Sequence, residues 1–155
     1  QEIPMSGRAT VVRPHEETMQ SRLLQLVRQA GLEADTTDVV ARERSEDEVV
    51  AALRQRSARL LVIPFRQPGK AETRVTGIEL LQRIERELPE TARVPVLLPV
   101  TVFSAGQVKL TLGESNPDET LSQKTRHRIL MVLEDELEEP RTVELLTMHL
   151  RIHGG

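Results

Sequence analysis

The chain has 155 residues, 38% of them hydrophobic, which is enough for one domain with a sizeable core and too little for two of ordinary size. Its formal net charge of -3 favours neither nucleic acid nor an anionic membrane, and the lack of cysteine excludes disulfides, thiolate metal sites and a cysteine nucleophile. Aromatic residues make up 1%, Phe65 and Phe103 alone, so base stacking has almost nothing to use and the core must be built from Leu, Val, Ile and Ala.

Gln1 to Pro4 precede Met5-Ser6-Gly7, which reads like a natural start, so residues 1-7 are expected to form a tail whose first four residues are an appendage. Arg8 to Pro14 is a short β-branched run stopped by proline, a predicted first strand. From Glu16 the period changes: Met19, Leu23, Leu26, Val27 and Ala30 recur at spacings of three and four, and Gly31 closes an amphipathic helix. Leu32 to Val40 is read as a second strand, and Asp35-Thr36-Thr37-Asp38 makes it polar enough for an edge. Ser45-Glu46-Asp47-Glu48 has the form of a capping box, followed by Val49, Val50 and Leu53 on the apolar face of a second helix.

Ala58 to Phe65 is the densest apolar run, and six successive apolar residues without alternation suit a strand buried on both faces. In a parallel α/β domain the residues just past such a strand line the ligand crevice. Here they are Pro64, Phe65 and Arg66, with no nucleophile, carboxylate or metal ligand among them. A polar loop leads from Pro68-Gly69 to a third helix, Gly77 to Leu88, ended by Pro89. Val94 to Val102 is a fourth strand, and Val108, Leu110 and Leu112 alternate as a candidate fifth. Only about five residues separate these two, too few for a helical crossover. Asn116-Pro117-Asp118-Glu119 opens a helix predicted to run through Leu121, Ile129, Leu130, Val132 and Leu133 to about Leu137, where Glu138-Glu139-Pro140 breaks it. A last helix covers Thr142 to Ile152.

No apolar run approaches the roughly 18 residues that span a bilayer, and no signal-peptide core is present, so the expectation is a soluble cytoplasmic protein. His149 and His153 stand four apart, a spacing able to chelate a metal, but without a third ligand nearby they read as surface histidines at a helix C-terminus. The carboxylates of Asp118, Glu134, Asp135, Glu136, Glu138 and Glu139 point in different directions on a helix and read as a solvated acidic face. No helix-turn-helix fits the scattered Arg126, His127, Arg128, Arg141 and Arg151, so nucleic acid is not expected as a partner.

Alternating strands and helices over about 95 residues predict a doubly wound α/β sheet. Ala9 to Val12, the helix ending in Gly31, Ala58 to Phe65 running into Pro68-Gly69, Gly77 to Leu81, Val94-Pro95-Val96 and Asn116 to Glu119 together resemble the landmarks of a response-regulator receiver domain. The resemblance covers residues 8-137. It implies a receiver-like (flavodoxin-like) three-layer α/β/α fold with a mostly parallel sheet, here with residues 138-155 as an additional C-terminal helix.

A working receiver carries an acidic pair after its first strand, a phosphoacceptor Asp after the third, Thr or Ser after the fourth and Lys after the fifth, the acids holding Mg²⁺. On that pattern the acidic pair falls on Arg13 and Pro14, the phosphoacceptor on Pro64, the hydroxyl on Thr101 and the lysine near Glu114. The resemblance thus implies a degenerate receiver, or pseudoreceiver: no enzyme, no cofactor and no metal, acting as a phosphorylation-independent protein-interaction module in bacterial signalling or regulation. Its partners are expected to be proteins, including a second copy met through the C-terminal helices. A competing reading is a sensor of small anions or nucleotides, with Arg13, His15, Arg66, Lys70 and Arg74 gathered at the strand ends.

Overall fold

The computed structural model describes residues 7-14, 16-40, 46-65, 77-90, 93-102, 105-106 and 122-153. Five strands, β1 (Ala9–Val12), β2 (Val39–Val40), β3 (Leu60–Val62), β4 (Val96–Val100) and β5 (Ile129–Leu133), form one sheet in the order β2-β1-β3-β4-β5. Every pairing is parallel. This is the flavodoxin-like order, in which the chain winds first toward one edge and then back toward the other. Among the described residues the helices whose ends are defined are α1 (Glu17–Gln29), α2 (Glu46–Arg54), α3 (Gly77–Glu87), α4 (Gln123–His127) and α5 (Pro140–His153).

The unalternating runs are explained by what covers them. Successive strand residues point to opposite faces, and here both faces are dry. Leu60 and Val62 of β3 and Leu97 of β4 join Leu23, Leu26 and Val27 of α1 and Leu146 and Leu150 of α5 in one cluster. Leu61, Ile63, Val96 and Leu98 join Val49, Val50 and Leu53 of α2 and Leu80, Leu81 and Ile84 of α3 in the other. The sheet is therefore the middle of three layers.

α1 ends as its sequence predicts. Gly31 adopts φ 104°, a left-handed conformation that costs little only for glycine. That turn lets its N–H donate to the Arg28 carbonyl and the Leu32 N–H to the Val27 carbonyl, satisfying two helix-end acceptors. The second strand is shorter than predicted. Asp35-Thr36-Thr37-Asp38 closes on itself as a 3-10 turn, with the Asp35 carboxylate accepting from Thr37 N and the Asp38 carboxylate from Asp35 N, and only Val39–Val40 extend the sheet, at its edge. Ser45 of the predicted capping box, and the candidate strand Val108 to Leu112, lie outside the described residues.

The largest difference lies near the C-terminus. The helix predicted to run from Asn116 to about Leu137 is instead, within the described residues, the short α4 followed by β5. Ile129-Leu130-Met131-Val132-Leu133 pairs along its whole length with Val96 to Val100. Five apolar residues in a row have no hydrophilic face for a helix to show to water. Pairing with β4 places them on the sheet edge, where Leu130 and Val132 pack toward one cluster and Ile129, Met131 and Leu133 toward the other, only Val132 being fully buried. Pro140 then occupies the first turn of α5, where its missing N–H costs nothing. α5 is consequently not an addition to the domain, as the 138-155 boundary implied. It follows β5 as the last helix of the alternation, and Leu146 and Leu150, at 0% and 2% exposure, sit in the core beside α1.

His149 is likewise more than a surface residue. Its Nε2–H donates to the Arg128 carbonyl at 2.7 Å, fastening α5 to the residue that precedes β5, and its ring centroid lies 4.7 Å from that of His153. Burial lowers its pKa from the usual histidine value; the Arg128 carbonyl works the other way and His153 adds to the lowering. The unfolded chain therefore takes up this proton first. The stabilisation is complete above about pH 6.5 and is lost as pH falls from there toward the folded-state pKa. Urea midpoints measured on either side of that window should fall more in the native protein than in His149→Gln, which keeps a donor for Arg128 but cannot titrate. Parallel losses in the two proteins would refute the assignment.

Candidate functional site

In a parallel sheet all strand C-termini open on one edge, and the first residues beyond them form the crevice. Past β1 stand Arg13 and Pro14, past β3 Ile63, Pro64 and Phe65, past β4 Thr101, and past β5 Glu134. Backbone pairing continues a little beyond the strands: Arg13 N–H donates to Val40 O at 3.0 Å, Ile63 N–H to Leu97 O at 2.9 Å and Phe65 N–H to Pro99 O at 3.0 Å. Because Leu61, Ile63 and Phe65 all donate toward β4, the intervening residues turn their amides toward β1. Pro64 has no amide to give. It ends the ladder on that side, and it is tolerated because β1 itself stops at Val12.

The register fixes which positions stand level. Val11 pairs with Val62, so two residues further on Arg13 lies beside Pro64; Val100 pairs with Leu133, so one residue further on Thr101 lies beside Glu134. Pro14 and Pro64 are buried, Arg13 is exposed, and Thr101 is partly buried, its carbonyl accepting from Ala105 N–H at 2.9 Å. Among the described residues the Arg13 guanidinium has no ion-pair or hydrogen-bond partner.

Glu114 was the expected occupant of the fifth position, but it lies outside the described residues, and the residue that actually follows the fifth strand is Glu134. Its side chain is buried, and its carbonyl accepts a 2.7 Å hydrogen bond from Arg22 Nη2 of α1. Arg22 Nε also lies 3.4 Å from Glu138 Oε1, so one guanidinium spans the turn between β5 and α5. Arg22 was not singled out from the sequence, and Glu134, read there as part of a solvated acidic face, is buried instead, because the chain at that point is the end of a strand and not the outer face of a helix. The run from Ile129 to Leu133, as unalternating as Leu60 to Phe65, was the signal that would have placed them.

Of the proposed anion group, only Arg13 is described; His15, Arg66, Lys70 and Arg74 lie outside the described residues. Among the described residues no three His, Asp or Glu side chains come together in a way that could hold a metal ion. No helix among them is long and apolar enough to cross a membrane.

The denser polar structure lies at the opposite, N-terminal edge of the sheet and is structural. Arg8 donates to both carboxylate oxygens of the buried Asp38, at 3.1 and 2.9 Å, and to Asp35 at 3.1 Å, tying β1 to the turn that starts β2. Glu85 of α3 accepts from Ser122 N–H, Ser122 Oγ and Thr125 Oγ1, and so fixes the start of α4. Burial acts to raise the Glu85 pKa, but the hydrogen bonds from Ser122 and Thr125 outweigh it and the net shift is downward.

Solved structures with the same arrangement are numerous. A sensor protein from Polaromonas sp. JS666 matches with a TM-score of 0.60 at 16% identity, covering 95% of each chain. A response regulator receiver domain protein from Clostridium thermocellum matches at 0.57 and 15%, over 94% of this chain and 93% of its own. The receiver domain of a sensor histidine kinase from Pseudomonas aeruginosa PAO1, with a magnesium ion coordinated in its active site cleft, matches at 0.58 and 13%, over 96% and 99%. At such identities the likeness shows the fold alone, and that fold is receiver-like. No family model and no curated protein matches the sequence.

Proposed function

We propose that this receiver-like domain is a pseudoreceiver: a non-catalytic module of a bacterial signalling assembly that works by binding proteins, a second copy of itself included, without being phosphorylated. The observation that carries the reading is the set of residues at the strand ends. Phosphoryl transfer to a carboxylate needs an acceptor oxygen, acids to hold Mg²⁺ and a cation to neutralise the transferred group. Here Pro64 offers no oxygen nucleophile, Arg13 puts positive charge where the metal's acids would stand, and Glu134 puts a carboxylate where the cation would stand. Each substitution removes a different requirement, so no single compensation repairs the site.

Incubating the protein with acetyl phosphate and Mg²⁺ and weighing it intact should give the unmodified mass, while an active receiver treated alongside gains one phosphoryl group. A stable adduct on this chain would overturn the proposal. Arg13, exposed and without a partner among the described residues, favours a second reading, a small-anion site, and calorimetric titration with inorganic phosphate separates the two: saturable heat that disappears in Arg13→Ala selects the sensor.

A further inference from the structure

At the edge of the sheet opposite the crevice, where the strands begin, the domain holds a cavity. Thr10 of β1 and Leu61 of β3 stand side by side in register, on the face that α2 and α3 cover. Below them an opening of about 240 Å³ lies between the segment that follows α2 and the one that precedes β4. Sites for drug-sized ligands run to roughly 300 to 1,000 Å³, so this one suits a smaller molecule. Leu53, Ala58, Leu61 and Val94 make its floor apolar. Thr10 also lines it, is only 3% exposed, and has a hydroxyl without a hydrogen-bond partner among the described residues. The buried Thr125 and Thr142, by contrast, donate to the Glu85 carboxylate and the Glu136 carbonyl. An unpaired buried hydroxyl is costly, and valine would fill the same space, so a threonine at this position points to a ligand that completes its bonding.

The charges that line the same cavity say what that ligand carries. Arg56 is exposed and has no ion-pair partner among the described residues. Glu90 is exposed as well, and its contact with Arg93 is a loose 3.8 Å. A lone anion suits this place poorly, because α2 and α3 both direct their C-termini toward this edge and a helix C-terminus disfavours negative charge. A carboxylate bound by Arg56 therefore has to bring a positive charge of its own, which Glu90 can receive. A free α-amino acid has both groups on one carbon. Its side chain then meets an apolar floor with a single hydroxyl in it, which a short side chain with a methyl and a hydroxyl complements. We infer that this cavity is a binding site for a small hydroxylated α-amino acid, with its carboxylate at Arg56, its ammonium at Glu90 and its side-chain hydroxyl at Thr10.

This site goes beyond the interaction-module reading and does not rest on it. Calorimetric titration of the full chain with L-threonine should give saturable heat. N-acetyl-L-threonine, which lacks the ammonium, and L-threoninol, which lacks the carboxylate, should each bind roughly tenfold more weakly, the effect of one charge-assisted hydrogen bond lost. Arg56→Ala and Glu90→Gln should weaken L-threonine to a similar degree, with circular dichroism and melting temperature unchanged because both side chains are exposed. L-valine, which has the same shape without the hydroxyl, should bind the native protein less well than L-threonine. In Thr10→Val that preference should vanish, and the denaturant midpoint should be no lower than the native one, since no internal hydrogen bond is removed. No saturable heat with L-threonine, indifference to the N-acetyl group, or a preference for L-threonine that survives Thr10→Val would each overturn the proposal. Phosphate heat that disappears in Arg56→Ala and not in Arg13→Ala would overturn it too, by making the cavity a simple anion site.

Discussion

Leu97→Ala is expected to destabilise the domain by about 3 kcal/mol, within the usual span for a buried leucine cut back to alanine. Leu97 is at 0% exposure on β4, and its side chain enters the cluster shared with α1 and α5. Truncation there removes the transfer energy of the lost carbons and leaves a cavity, because rigid neighbours close on it from the sheet and from both helices. A domain of this size has roughly 5 to 15 kcal/mol in hand, so the loss is a large share of the total. Denaturant unfolding measures it directly as a lower midpoint at unchanged slope. Val102→Ala, at a position 62% exposed just beyond the same strand, should stay within about 0.5 kcal/mol of the native protein. If the two variants lose equal stability, the assignment of Leu97 to a packed core is wrong.

The same burial explains what could be read in advance. Leu60 to Phe65 and Val96 to Val100 announce themselves because a strand covered on both faces needs no polar residue, and such runs are hard to place anywhere else in a parallel sheet. α1 was legible because one face is dry and one is wet, which imposes a period, and because Gly31 ends it in a conformation other residues avoid. Ile129 to Leu133 obeyed the rule for a two-sided strand, yet the Asn116-Pro117 start ahead of it and the charged residues on both sides suggested one long helix. Local pattern decides poorly there, because a short apolar run fits either element until its partner is known. The partner, β4, lies some thirty residues away in sequence, and pairing across that distance is a tertiary fact. From that one misreading followed the placement of the fifth site position at Glu114 and the view of α5 as an addition. The residue that follows β5, Glu134, is like Glu114 a carboxylate and not a lysine.

Pro64→Asp, which restores an acceptor carboxylate at the end of β3, is expected to yield no phosphoprotein with acetyl phosphate and Mg²⁺. Position 64 is buried, and by register it stands beside Arg13. A new carboxylate there meets a guanidinium, and that pairing holds the carboxylate with a cation that brings no phosphoryl group, while the same positive charge repels Mg²⁺. On the other side of the crevice Glu134, buried next to Thr101, adds negative charge where a transferred phosphoryl group would need it cancelled. The reaction therefore lacks its metal and its counter-charge even when it has its acceptor. Arg13→Asp, Pro14→Asp, Pro64→Asp and Glu134→Lys together supply the acid pair, the acceptor and the cation at the four strand ends, and Thr101 already supplies the hydroxyl. That combined variant should bind Mg²⁺ and gain one phosphoryl group by intact mass, provided circular dichroism shows that it folds. Phosphorylation of the Pro64→Asp protein alone would show that Arg13 and Glu134 do not block the site. A folded combined variant that binds Mg²⁺ and still takes no phosphate would show that the strand-end residues are not the whole of what separates this domain from a working receiver.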